Sequence, residues 1–254
     1  MLSIQRLEKV RDYILQNKYA NINELAELFG TSAATIRRCL KQLEQEKLVE
    51  SVRGGAVLIS KGSIFEPPYL IKKKQNESEK KRIAEEACRY INANSSIFLD
   101  ASTTVYEISH FLQSKKNISI CTNDVYITCA LNNLQDVCVT VTGGVLRNGY
   151  YTLSGFYAEK MLSEMQLDYA FMAVDAITDK GKFTITNTEE LGIKRAAVQA
   201  ANHTIVLCDH SKFKRTALLS LWEPEKVDLI ITGKELGEEM YQEYTDMGFT
   251  IKMV

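Results

Sequence analysis

No stretch of this chain is apolar for long enough to span a membrane, and Met1-Leu-Ser-Ile-Gln-Arg-Leu-Glu8 has no apolar core of a signal segment. That reading points to the cytoplasm. An excess of charge is missing too. Lys and Arg number 31 against 32 Asp and Glu, a formal net charge of −1, so no whole-molecule field draws the protein to nucleic acid. Any affinity for DNA must come from a local patch. The six cysteines, Cys39, Cys88, Cys121, Cys129, Cys138 and Cys208, contain no C-x-x-C pair, and the three histidines, His110, His203 and His210, pair with none of them. This spacing argues against zinc and leaves reduced thiols, with Cys121, Cys138 and Cys208 packed as small hydrophobes in apolar runs. No G-x-G-x-x-G follows any of those runs, so a dinucleotide fingerprint is absent. No cofactor is expected.

What is present suffices for two domains. The chain has 254 residues, 45% hydrophobic and 25% charged, which are ordinary globular values. Near the amino end, Leu7, Val10, Ile14 and Leu15 mark one amphipathic helix; the stretch 17–23 breaks it; and 22–29 supplies a second, shorter one. Gly30-Thr31-Ser32 is the tight turn of a helix-turn-helix. From Ser32 to about Lys47, Ile36, Cys39, Leu40 and Leu43 recur at helical spacing. At 100° per residue that stripe leaves Ala34, Arg37, Arg38 and Lys41 on the other side, with Thr35 at the border. Thr31 and Ser32 can cap the helix, whose free N–H groups favour a phosphate. Small residues followed by basic ones suit insertion into a major groove. Residues 48–59 read as two short strands about Arg53-Gly54-Gly55, a hairpin with a basic tip suited to lie on the phosphate backbone as a wing.

These residues resemble the DeoR family of bacterial transcription regulators. The likeness is carried by Glu24-Leu-Ala-Glu-Leu-Phe29, by Ser32-x-x-Thr-Ile-Arg-Arg38-x-Leu40 and by Gly54-Gly55-Ala56. The family pattern usually has Asp where this chain has Cys39, and His where it has Arg53.

Residues 61–76, with Gly62, Pro67-Pro68 and Lys72-Lys73-Lys74, read as a linker between a winged helix-turn-helix of residues 1–60 and a second domain of residues 77–254. Part of the linker, around Ile64, Phe65, Tyr69 and Leu70, is apolar enough to dock on a surface. From Ser78 onward, short β-branched runs alternate with helical patterns, which implies an α/β domain built on a mostly parallel sheet covered on both faces. Ligands of such sheets bind beyond the carboxyl ends of the strands. The residues that fall there are Asp100, Ser102, Thr103 and Thr104; Thr122 and Asn123; Gly143, Gly144 and Arg147; Gly155; Asp175; and Asp209 and Lys212. Glu190 and Lys194, four apart on a helix, form either a surface ion pair or a phosphate-facing ammonium oriented by its carboxylate.

The DeoR resemblance continues through these positions. It implies a sensor domain with the fold of ribose-5-phosphate isomerase, glucosamine-6-phosphate deaminase and coenzyme A transferases, binding a phosphorylated sugar. The family pattern often has Gly at Ser102, Ala173, Ala176 and Lys214. The expected protein is a DNA-binding transcription regulator, a repressor of carbohydrate genes. Its partners would be double-stranded operator DNA and a phosphorylated sugar, with no membrane, and it would work as a homodimer or homotetramer. The alternative is a sugar-phosphate isomerase-like enzyme with an appended DNA reader, drawing its acid and base from Asp100, Asp175, Glu190 and Asp209.

Overall fold

Helix α1 (Ser3–Asn17) turns Val10 and Ile14 fully inward, one helical turn apart. The chain then runs through strand β1 (Tyr19–Asn21), helix α2 (Ile22–Leu28) and helix α3 (Ala33–Gln45). Asn21 caps α2, its side-chain oxygen accepting from the N–H groups of Asn23 and Glu24. Gly30, at φ +57°, makes the turn into α3. Strands β2 (Val49–Val52) and β3 (Gly55–Leu58) pair antiparallel, and β1 adds to β3 to give the order β1-β3-β2. The computed structural model describes residues 3–17, 19–52, 54–59, 66 and 69–254. It divides into two units, Met1–Pro67 and Pro68–Val254.

Strand β1 lies in the stretch expected to be a simple break between helices. Three residues are too few to show a period of two, and pairing rather than pattern creates the strand. Gly55 permits it, since a Cβ there would stand 2.0 Å from the Ala20 carbonyl oxygen.

The second unit begins with α4 (Tyr69–Lys74), so the last part of the expected linker is a helix belonging to this unit. The first part of that linker falls outside the described residues, apart from Glu66. Then follow α5 (Glu77–Ala87), β4 (Ser96–Leu99), a 3-10 helix over Val105–Ser114, β5 (Ile118–Thr122), α6 (Val125–Leu131) and β6 (Val137–Val141). A hairpin of β7 (Val145–Arg147) and β8 (Thr152–Ser154) leads to α7 (Phe156–Ser163) and β9 (Leu167–Met172). The chain closes with β10 (Ala176–Ile177), β11 (Phe183–Ile185), α8 (Leu191–Ala200), β12 (Ala201–Leu207), β13 (Leu219–Ser220), β14 (Leu229–Thr232), α9 (Glu238–Asp246) and β15 (Ile251–Met253).

The main sheet has seven strands in the order β15-β14-β12-β9-β4-β5-β6, all parallel. Alternate residues of its central strands serve two cores. Phe98, Ala170, Val206 and Ile230 face one, and Leu99, Phe171, Leu207 and Ile231 the other. The α/β expectation therefore holds, with both faces covered. Two small antiparallel elements, β7-β8 and β10-β11-β13, are additions that strand-length apolar runs do not announce. Cys121 and Cys208 are buried as expected, but Cys138 is exposed because β6 is the edge strand. No helix among the described residues is long and apolar enough to cross a membrane.

The strand order reverses between β4 and β9, which follow opposite directions of winding from a common centre. The carboxyl ends of these two strands thus open a crevice, the usual ligand position of an open α/β sheet.

Candidate DNA-reading face and strand-end site

Ser32 caps α3. Its hydroxyl oxygen accepts from the Thr35 N–H at 3.2 Å and lies 2.9 Å from the Thr35 hydroxyl. Ile36, Cys39, Leu40 and Leu43 are buried, while Ala34, Arg37, Arg38 and Lys41 are exposed and Thr31 and Thr35 half-buried. The helix therefore offers small residues at its amino end and three cations on the same outward side. Glu44 accepts from the Ser51 N–H at 3.0 Å and ties β2 to this helix. Gly54, at φ +86°, is exposed at the tip of the β2–β3 hairpin. Gly55 is buried against β1, where it serves strand packing, and Arg53 lies outside the described residues.

In the second unit, Asp100 follows β4 and is almost fully buried. Its Oδ2 accepts from the Ala173 N–H at 2.9 Å, across the crevice, and from the Lys194 ammonium. Its Oδ1 has no hydrogen-bond partner among the described residues. Lys194 also donates to the Ala173 carbonyl at 3.1 Å. Burial works against its charge, but Asp100 and then Glu190 and Asp175 keep its pKa above the ordinary lysine value. Glu190 does not orient Lys194 directly. It accepts instead from Arg147 at 2.7 Å, and the Arg147 guanidinium stacks over the Tyr150 ring at 3.8 Å.

Asp175, past the end of β9, accepts from Lys72 of α4 at 3.2 Å and from the Thr186 N–H at 2.8 Å. Burial alone would raise its pKa, yet Lys72, Lys212 and the Thr186 bond hold it well below the usual carboxylate range. Asp209, after β12, caps a 3-10 turn through the Ser211 N–H at 3.0 Å and accepts from Asn76 at 2.9 Å. It too is depressed against its burial, by Lys212, Ser211, Lys80 and Asn76. Asp100, Arg147, Asp175, Glu190, Lys194, Asp209 and Lys212 are thus brought into one connected set of charges.

The remaining expected residues support that set rather than extend it. The Ser102 hydroxyl caps the following 3-10 helix, accepting from the Thr104 and Val105 N–H groups at 3.0 and 3.3 Å. Thr103 accepts from Lys80 at 3.0 Å, and Thr104 is buried. Thr122 donates to the Leu99 carbonyl at 2.7 Å. Asn123 accepts from the Ala101 N–H at 2.9 Å and donates to the Leu153 carbonyl at 3.3 Å, bracing one strand end against the hairpin. Gly143, Gly144 and Gly155 all have positive φ, and a Cβ on Gly144 would meet the Ser154 carbonyl oxygen at 2.4 Å. Of the four positions where the family pattern often has glycine, Lys214 alone takes the left-handed backbone, at φ +51°.

Lys72, Lys80 and Asp124 lie outside the set of residues that sequence reasoning singles out. In sequence Lys72 is one of a solvated-looking lysine run. Lys80 carries a usable signal, because it falls on the same helical stripe as Ile83, Ala84 and Ala87 and so points a charge inward. Asp124 caps α6, its Oδ1 accepting from the Tyr126 and Ile127 N–H groups at 2.6 and 3.0 Å. Glu79, Asp209 and His210 bring ligand-type atoms within 4.8 Å of one another. Glu79 already accepts from the His210 and Gly233 N–H groups, and its other oxygen faces the His210 ring at 2.8 Å. With Lys80 and Lys212 also facing Asp209, this is a closed hydrogen-bonded group poorly suited to a cation.

The comparison with known families decides what the two units are. Residues 6–62 match the DeoR-like helix-turn-helix domain, and residues 75–234 match the DeoR C terminal sensor domain. The chain belongs to the DeoR family. It is a DNA-binding transcription regulator, and its relatives are named as transcription regulators and repressors rather than as enzymes. This DeoR-family chain is 28% identical over 253 residues to the HTH-type transcriptional regulator GolR of Listeria innocua, covering 100% of this chain and 99% of that protein. It is 29% identical to the glycerol-3-phosphate regulon repressor of Escherichia coli, with 97% of each chain covered, and 28% identical to the regulator IolR of Bacillus subtilis, with 95% of each covered. Among solved structures, the ribose 5-phosphate isomerase A of Methanocaldococcus jannaschii overlaps 56% of each chain at 16% identity and a TM-score of 0.41.

Proposed function

We propose that this DeoR-family regulator represses carbohydrate genes in the cytoplasm. A phosphorylated sugar bound at the carboxyl ends of β4 and β9 would control it. The observation that carries this reading is the Asp100–Lys194 pair at the switch point, with Asp100 Oδ1 buried and without a partner among the described residues. A buried acceptor of that kind favours a ligand hydroxyl, since leaving it unmade costs about 1–3 kcal/mol. The cations Lys72, Arg147 and Lys212 grouped around the same crevice favour an anionic end on that ligand. The relative named for a glycerol-3-phosphate regulon supports a phosphorylated effector as well.

The DNA-bound form is proposed to be a homodimer or homotetramer that reads an operator in double-stranded DNA through Thr31, Ser32, Ala34, Thr35, Arg37, Arg38 and Lys41, with the hairpin of Arg53, Gly54 and Gly55 on the backbone. The sugar phosphate acts by binding one of two forms more tightly, and so shifts the population that is competent for DNA. Thermal unfolding of the full chain against paired sugars and sugar phosphates tests the effector. A compound that binds only the folded form raises the melting temperature by mass action. A rise with a sugar phosphate, absent with its parent sugar and accompanied by a change in gel-shift affinity, is the expected result. No rise with any phosphorylated compound overturns it.

A further inference from the structure

Strand β6 ends the main sheet, and no strand among the described residues pairs with its outer edge. Such an edge presents unpaired N–H and C=O groups to any extended strand that meets it, and folded proteins usually blunt it with charge or proline. β6 has neither. It reads Val137-Cys-Val-Thr-Val141, rich in β-branched residues, and no charged residue occurs from Val137 to Leu146. The opposite edge, β15, carries the exposed Lys252 at its centre.

Apolar surface continues from the β6 edge. The chain leaves β6 through Gly144, which lies so close to α7 that a Cβ there would stand 3.3 Å from the Ala158 Cβ. Val145 is then 72% exposed and Leu146 48%, and at the start of α7 Phe156 and Tyr157 are 71% and 76% exposed. The four side chains are contiguous. Val145 Cγ2 stands 4.0 Å from the place of a Cβ on Gly155, and the Phe156 and Tyr157 rings meet edge to face at 5.6 Å. The two rings leave roughly 300 Å² in water and the four side chains roughly 500 Å², a size at which the patch on a soluble monomer is often functional. With the edge of β6 the surface approaches about 600 Å², the lower end of one side of a specific protein interface.

We propose that this edge and patch form one self-complementary surface on which a second copy of this chain seats, with β6 pairing antiparallel to its own counterpart across a two-fold axis. This rests on the homo-oligomer reading above and gives it a named surface. A free strand edge selects an extended strand as its occupant, and a two-fold axis supplies the same strand in the antiparallel sense. The lack of charge from Val137 to Leu146 calls for no oppositely charged partner, and no like charges meet when two identical edges face each other. Two seven-stranded sheets become one. Pairing centred on Val139 uses the whole strand and sets the two Cys138 side chains on one face, diagonal to each other at roughly 7 Å. β7 also carries Arg147, bonded to Glu190 at 2.7 Å, so the interface and the strand-end crevice share one hairpin.

Sedimentation of the full-length protein over a dilution series tests this, with the native chain compared against Tyr157→Lys and Cys138→Lys. Both positions are exposed, so each variant should keep its fold, as Trp222 fluorescence and circular dichroism would check. Each sets like charges against each other across the two-fold axis and should raise the dissociation constant at least about tenfold, or split a tetramer into dimers. Crosslinking gives a second readout that needs no weakened interface. In Cys129→Ser, Cys138 is the one of the cysteines left exposed, and a short thiol-to-thiol crosslinker should give a covalent dimer in high yield. Native assembly in both lysine variants, with no crosslink through Cys138, overturns the surface and leaves the oligomer reading standing. A native chain that sediments as a monomer at every concentration overturns the oligomer reading and the surface with it, and leaves the patch to a different protein.

Discussion

Replacing Asp124 by Asn should remove a pH dependence from the stability of the sensor unit. Asp124 is fully buried, spends one oxygen capping α6, and leaves Oδ2 without a partner among the described residues. Burial pushes its carboxyl from the ordinary 3.8 to about 7, with the Asp100 charge adding to the rise and the cap bonds opposing it. The folded state therefore holds this proton more tightly than the unfolded chain. Below about pH 4 both states are protonated, and between about 4 and 7 only the folded state is, so stability falls as pH rises. At about 1.4 kcal/mol for each tenfold change, the full loss above pH 7 is about 4 kcal/mol. Asn keeps the capping oxygen and carries no charge. Urea titrations from pH 5 to pH 8, followed by fluorescence of the single tryptophan, Trp222, read this unit because that residue packs near Phe183 within it. The native chain should lose about 2.5 kcal/mol across this range, the part of the total that falls above pH 5, and the variant should stay nearly level. Parallel curves would mean that Asp124 ionises like an exposed carboxyl, and the burial argument fails.

Lys194→Met should cost about 3–5 kcal/mol, because it leaves Asp100 buried without its cation. Since the Lys194 pKa is raised on folding, the pair's contribution is complete at neutral pH and is lost as pH climbs through that raised value, so the penalty should shrink in strong base. Arg37→Ala with Arg38→Ala should abolish operator binding in gel shifts while Trp222 unfolding stays unchanged, and either single variant should lower the salt slope by about 0.9 for each phosphate no longer neutralised. Retained binding by that variant would remove α3 from the role of reading helix. Gly55→Ala should destabilise the DNA-binding unit by about 1–3 kcal/mol through collision with the Ala20 carbonyl, visible as a lower midpoint in circular dichroism; an unchanged midpoint would show that β1 yields freely.

Most of the architecture is legible in the sequence because periodicity is a strong signal over long elements. The inward stripe of α3 and the alternating apolar strands of the main sheet both follow from it. Elements of two or three residues, such as β1, β10 and β13, have no period to read and exist only through pairing. Strand ends tell where polar residues collect, but not what each does. Thr122 and Asn123 look like ligand residues in sequence and are occupied in holding the strand ends together. Glu190 and Lys194 sit four apart, yet each takes a distant partner, because the partners Arg147 and Asp100 arrive by chain crossings that spacing cannot encode. Helix α4 is hidden by composition. Its lysines suggest a solvated connector, yet Lys72 reaches Asp175; the docking expected around Tyr69 does occur, with that ring buried and stacked at 4.9 Å on Tyr126.

That position of α4 sets where the sensor can be cut. A fragment starting at Glu77, where the sequence first alternates cleanly, would delete Tyr69, Lys72 and Asn76. It would strip Asp175 of its lysine and Asp209 of its amide, and would remove the carbonyl that engages Lys80. Such a fragment retains every strand of the main sheet, so it can fold and still report the wrong affinity. A ligand screen on a truncated sensor should begin upstream of Tyr69, and a negative result from a shorter piece says nothing about the whole regulator.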